Sequence, residues 1–138
     1  MLLTSLKSAV AEDLNKVDKL IVSSLYSQIP LIQDIGKYII QGGCKRIRPF
    51  LLLVAAKACG YSGEQHIPMA TVIEFIHTAT LLHDDVVDEA ILRRGCPTAN
   101  NKWGNQTAVL VGDFLYSRSF QLMMQVQNME ILRIIADA

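Results

Sequence analysis

The stretch from Ala70 to Glu89, ATVIEFIHTATLLHDDVVDE, restricts the folds open to this chain more than any other. Its first part, Ala70 to Leu82, is mostly apolar with only Glu74 and His77 ionisable, which predicts a helix buried around most of its circumference. The same helix then ends in three aspartates, Asp84, Asp85 and Asp88. On a helix, Asp84 and Asp88 stand one turn apart on one face, about 6 Å between Cβ atoms, with Asp85 about 100° further round. Like charges at that spacing destabilise a helix unless something cationic sits over them. An acidic, solvated helix end would explain such a pattern on a surface helix. Here the aspartates close a helix that must be buried, and that favours metal binding. Hard carboxylate oxygens favour Mg²⁺ or Mn²⁺ over zinc. Mg²⁺ keeps waters and takes one or two carboxylates plus phosphate oxygens, so the implied ligand is a Mg–phosphate or Mg–diphosphate species.

Almost all of the remaining chain reads as helix. Leu3, Leu6, Val10, Leu14, Val17 and Ile21 form an apolar stripe at three- and four-residue spacing, which predicts a single helix from Leu2 to about Tyr26. Pro30 opens a second helix that Gly42 and Gly43 end, and Pro49 suits the first position of a third, closed by Gly60. The Asp-rich helix is predicted from about Pro68 to Asp88. Glu89 to about Asn105 is an irregular segment broken by Gly95, Pro97 and Gly104. Helix resumes from about Gln106 to Gln127 and again from Met129. The last residues, EILRIIADA, carry an apolar face and no C-cap signal, so the expectation is a chain that continues beyond residue 138. At 138 residues and 51% hydrophobic content, one helical domain with a sizeable core is expected.

Several function classes drop out. The 13 basic and 13 acidic residues cancel, so no net positive face is available for nucleic acid. No window reaches the roughly 18 apolar residues that span a bilayer, and the N-terminus lacks the apolar core of a secretory signal. Cys44, Cys59 and Cys96 show no metal spacing and read as reduced thiols of a cytoplasmic protein.

Two basic clusters flank the acidic one. Arg93 and Arg94 follow the aspartates, and as a pair they could simply neutralise them. The planar guanidinium also suits bidentate phosphate binding. Lys45, Arg46 and Arg48 lie between Gly42-Gly43 and the helix start at Pro49. There, backbone freedom and a helix N-terminus favour an anion. Together the motifs suggest one metal-bound diphosphate and one held by cations alone. His77, two turns before Asp84, reads by itself as a satisfied core histidine.

GGCKRIRP followed by HDDVVDEAILRRG closely resembles the trans-isoprenyl diphosphate synthases, especially the long-chain enzymes that make quinone side chains. The resemblance covers nearly the whole chain but only the N-terminal part of that family's usual length. It implies an all-α helical bundle of the isoprenoid synthase type, represented here by its N-terminal helices. It implies that Asp84 and Asp88 bind the Mg²⁺ that holds the allylic prenyl diphosphate, with Asp85 supporting the cluster and Arg93 contacting that diphosphate. Lys45, Arg48, His77 and Arg94 would hold isopentenyl diphosphate, while Arg46 has no role beyond general positive potential. It further implies that small residues at Ala79 and Thr80 leave a prenyl tunnel open as far as Phe75, giving a long, membrane-seeking product. A homodimer is implied as well. Cys44 stands where a third glycine is expected and reads as a tolerated substitution. A terpene synthase would share the Asp-rich helix but would not need the second anion site. A non-catalytic prenyl-diphosphate-binding subunit remains the alternative from another class, supported by the absence of a second Asp-rich motif from these 138 residues.

Overall fold

The computed structural model describes residues 2–41 and 45–138. Gly42, Gly43 and Cys44 lie outside the described residues, and with them the expectations for the glycine pair and the cysteine.

Among the described residues the chain is a stack of helices: α1 (Leu2–Ala9), α2 (Ala11–Ser24), α3 (Pro30–Gln41), α4 (Ile47–Ala58), α5 (His66–Val87), α6 (Ala99–Trp103), α7 (Asn105–Val126) and α8 (Met129–Asp137). One hairpin, β1 (Leu92–Arg93) with β2 (Cys96–Pro97), interrupts them. The central element is α5. It packs most extensively on α7, and α4 and α2 close its other sides. Met69, Ala70, Val72, Phe75, Ala79 and Leu82 are all buried, so the apolar run does form the core helix its composition demands. Gly112 lets α7 approach α5 closely, since a Cβ there would run into the His83 ring. No helix among the described residues is long and apolar enough to cross a membrane.

Three boundaries differ from the sequence reading. The N-terminal stripe is two helices, broken at Val10 (φ −117°, ψ 12°). Val10 is itself buried, and after the break α2 turns Val17 and Ile21 into the core. Helix α4 begins at Ile47, ahead of Pro49. Arg46 adopts a left-handed conformation (φ 50°, ψ 34°) and its carbonyl accepts from the Phe50 N–H at 2.9 Å. Pro49 then falls within the first turn, where a missing N–H costs nothing. The segment after Glu89 is ordered. Arg94 and Gly95 both have positive φ (52° and 79°), as a two-residue type I′ hairpin turn requires.

Candidate active site

The C-terminal end of α5 separates its three aspartates by burial. Asp84 and Asp88 are exposed, whereas Asp85 is 5% exposed. The hairpin folds Arg93 back over Asp85. Its Nε donates to the two carboxylate oxygens at 3.1 and 3.0 Å, and its Nη2 donates to Oδ1 at 2.7 Å. This fork-on-carboxylate geometry is the strong form of the pair, and it raises the Arg93 pKa further above its already high value. Arg93 therefore holds the supporting carboxylate within this chain. Among the described residues, no side-chain hydrogen bond or ion pair engages Asp84 or Asp88.

Two residues missed in the sequence fix this end. Thr98 Oγ1 donates to the Ala90 carbonyl at 2.6 Å, and Asn100 Nδ2 donates to the carbonyls of Ala90 and Asp85 at 3.0 and 3.3 Å. They tie the chain after α5 to the helix end, where the Asp85 carbonyl also accepts from the Ala90 N–H at 2.9 Å. The Thr98 hydroxyl also caps α6, accepting from the Asn101 N–H. A threonine just before a short helical pattern is the one sequence signal that could have found it. His83, beside Asp84, turns instead towards α7, with Nε2 3.2 Å from the Val109 carbonyl and 3.4 Å from Asp113 Oδ1.

A second feature lies beside the aspartates. Lys45, Arg46, Ile47, Arg48, Glu74, His77, Leu81 and Arg94 line one cleft of about 420 Å³. The four residues expected to share an anion, Lys45, Arg48, His77 and Arg94, thus come together although 49 positions separate the first from the last. Burial first, and then the Arg48 cation, push the His77 pKa below its ordinary value, with Arg94 and Arg93 adding to the effect and Glu74 opposing it. His77 is accordingly a half-buried group in a positive cleft. Arg94 also borders a smaller cavity of about 110 Å³ that Arg93, Asp85 and Tyr38 line, so the two arginines share that space and Arg94 alone also lines the cleft. Arg46 corrects the sequence reading. Its Nη1 donates to Glu74 Oε1 at 3.1 Å and its Nε to Asp18 Oδ1 at 3.0 Å.

The residues expected to set chain length divide between two faces. Thr80 is exposed on the same side as Asp84, but Ala79 and Phe75 are 0% exposed and packed in the core. Phe75 lies nine residues before Asp84, about half a turn off its face. Along the exposed face the next side chains are His77, Ile76 and Ile73. A cavity of about 470 Å³ is an apolar groove elsewhere, bordered by α4, α8 and the ends of α5 and α7. It contains none of the charged site residues.

Among the described residues no three His, Cys, Asp or Glu side chains gather as a ready-made metal site. Two exposed carboxylates one turn apart nevertheless fit a cation that takes one or two carboxylates and completes its shell with water and phosphate oxygens. Asp84 and Asp88 are the residues that could hold Mg²⁺ or Mn²⁺.

The polyprenyl synthetase family model matches residues 29–138. The chain belongs to that family. The octaprenyl diphosphate synthase of Haemophilus influenzae is 54% identical over 126 residues, which is 91% of this chain and 38% of that protein. The octaprenyl diphosphate synthase of Escherichia coli is 48% identical over 138 residues, covering all of this chain and 43% of its own length. Among solved structures, a decaprenyl diphosphate synthase from Rhodobacter capsulatus superposes with a TM-score of 0.93 at 50% identity, over 97% of this chain and 42% of that one. A polyprenyl synthase from Caulobacter crescentus, solved with calcium and isoprenyl diphosphate, superposes with a TM-score of 0.92 at 41% identity, over 96% of this chain and 40% of that one. The chain spans about two fifths of the length of these curated relatives. Membership of the polyprenyl synthetase family agrees with the all-α isoprenoid synthase fold observed here.

Proposed function

We propose that these residues form the N-terminal part of the active site of a Mg²⁺-dependent prenyltransferase that condenses isopentenyl diphosphate with an allylic prenyl diphosphate. The product would be a long all-trans polyprenyl diphosphate, octaprenyl-like, of the kind that supplies a quinone side chain. One observation carries the reading: two exposed carboxylates close α5, and a separate cation-lined cleft runs along Glu74, His77 and Leu81 of the same helix. The octaprenyl diphosphate synthases among the relatives support the substrate class.

In this reading Lys45, Arg48, His77 and Arg94 bind isopentenyl diphosphate through charge-assisted hydrogen bonds and fix where its double bond lies. Asp84 and Asp88 would hold Mg²⁺, which when bound would neutralise the charge of the departing allylic diphosphate. Arg93 keeps Asp85 neutralised, so that the two outer carboxylates stand without a third free acid behind them. Diphosphate departs with the C–O bonding pair, and the isopentenyl double bond attacks the allylic cation to form the new C–C bond. The departed diphosphate then takes up a proton from the product cation, whose C–H bonding pair becomes the new double bond. No side-chain nucleophile is required. Thr80 and the side chains beyond it on the same face would border the growing tail. The protein would act in the cytoplasm as a homodimer, for which the outward apolar residues of α7, Leu110, Phe120 and Met124, offer a face.

The 138-residue chain alone is expected to show no turnover, because its one Asp-rich helix supplies only two metal-facing carboxylates. Mg²⁺-dependent elongation of radiolabelled isopentenyl diphosphate by this chain would refute that. Calorimetric titration tests the site directly. Isopentenyl diphosphate should bind without metal and lose binding in K45A/R48A, whereas geranyl diphosphate should need Mg²⁺ and lose that dependence in D84A. Unchanged isopentenyl diphosphate binding in K45A/R48A would remove the assignment of the cleft.

A further inference from the structure

We infer that Arg46 and Glu74 are a positioning pair that presents Lys45 and Arg48 to the anion in the cleft, and that Arg46 itself does not bind the anion. The inference rests on the reading of that cleft as a diphosphate site.

The two outer cations of Lys45-Arg46-Ile47-Arg48 are exposed, whereas the side chain of Arg46 is 16% exposed. Its guanidinium reaches two other helices at once, Glu74 on α5 at 3.1 Å and Asp18 on α2 at 3.0 Å. The Glu74 side chain is 4% exposed, and a buried carboxylate needs a partner to remain charged. Arg46 also stands at the start of α4 with φ 50°, a conformation that residues with a side chain seldom adopt. Pinning its guanidinium to α5 and α2 fixes where the chain turns into α4. Lys45 lies immediately before this pin and Arg48 one residue after Ile47, so the pin sets the position of both. The same α5 turn carries His77, three residues after Glu74, which ties the histidine to the same frame.

Glu74 presents a paradox if charge alone matters. It is an acid in the wall of an anion cleft, and by Coulomb's law it repels what the cations attract. Its presence follows if its task is to hold Arg46. The two accounts predict opposite signs. If Glu74 acts only through its charge, E74Q tightens anion binding. If it acts by positioning, E74Q weakens binding even though a negative charge has left the cleft.

The test is calorimetric titration of the 138-residue chain with inorganic diphosphate in EDTA, with melting temperature measured in parallel. The wild type should bind and K45A/R48A should not. E74Q should bind about tenfold more weakly than wild type, the usual scale for loss of a supporting contact behind a ligand. R46M/E74L replaces the charged pair by apolar groups of similar length, which restores or raises stability. It should melt at or above the wild-type temperature and still bind about tenfold more weakly, which a merely structural role would not produce. This double variant decides the matter if E74Q fails to fold. Wild-type or tighter affinity in E74Q, or wild-type affinity in R46M/E74L, would overturn the inference. Absence of wild-type binding, or equal binding by K45A/R48A, would instead bring down the cleft reading on which it rests.

Discussion

The basic and acidic clusters that flank α5 are built alike and held differently. In Lys45-Arg46-Ile47-Arg48, the outer charges are exposed and Arg46 is turned inward to Glu74. In Asp84-Asp85-Val86-Val87-Asp88, the outer charges are exposed and Asp85 is turned inward to Arg93. In each, one inward charge, neutralised by an opposite one, anchors two outward charges. The difference lies in the reach of the anchor. Asp85 and Arg93 are 8 residues apart and joined by a tight hairpin, while Arg46 and Glu74 are 28 apart and joined only by the packing of α4 on α5. A local anchor survives as long as its turn does; the long-range one needs the assembled bundle.

E74A should be the most damaging single change. Removing a 4% exposed carboxylate leaves Arg46, itself 16% exposed, without its buried partner, and the loss should be about 3–5 kcal/mol in urea unfolding. D85A should cost less, about 1–3 kcal/mol, because the Arg93 side chain is 38% exposed and can return to water. If D85A proved the more damaging of the two, the hairpin and not the bundle would be the principal anchor. The outer acids should behave in the opposite sense. Asp84 and Asp88 are like charges one turn apart, so D88N should stabilise the chain by roughly 0.2–0.5 kcal/mol while abolishing Mg²⁺-dependent binding of geranyl diphosphate. A D88N chain less stable than wild type would mean that Asp88 has a structural partner.

A smaller, pH-dependent effect belongs to the basic side. The His77 pKa is lowered in the folded chain, so the unfolded chain holds more protons on it at mildly acidic pH. Its contribution to stability is therefore fully present above the ordinary value of 6.5 and lost as pH falls below that towards the folded value. An anion in the cleft favours the protonated ring, so diphosphate binding should tighten as pH falls below 6.5 towards the folded value. In H77A the acid-side loss should shrink, as should the pH dependence of diphosphate affinity. An unchanged pH profile of affinity would separate His77 from the anion.

Much of this was legible in the primary structure, and the failures share one cause. Apolar periodicity located the main helices because burial is one-sided and the helical repeat is fixed. The alternative that the arginines after the aspartates neutralise them is what Arg93 does to Asp85, a pairing within reach of local reasoning. The break at Val10 was not legible, because a continuous stripe looks the same whether or not the chain bends to follow the core. The hairpin was hidden by an arginine at a left-handed position (Arg94, φ 52°), where a turn signal would have needed Asn, Asp or Gly. Phe75 looked like the end of a tunnel by distance along the chain, yet the helical phase sends it to the core.

Residue type and spacing were enough to specify the all-α class, the buried character of α5, the acids at its end and the family. Which charge of each cluster faces in was left to the packing of the helices. That choice depends on what stands across the interface, and Arg46 meets Glu74 and Asp18 only after α2, α4 and α5 have packed. A cation in a sequence is only a charge; the bundle makes one a clamp and its neighbour a pin.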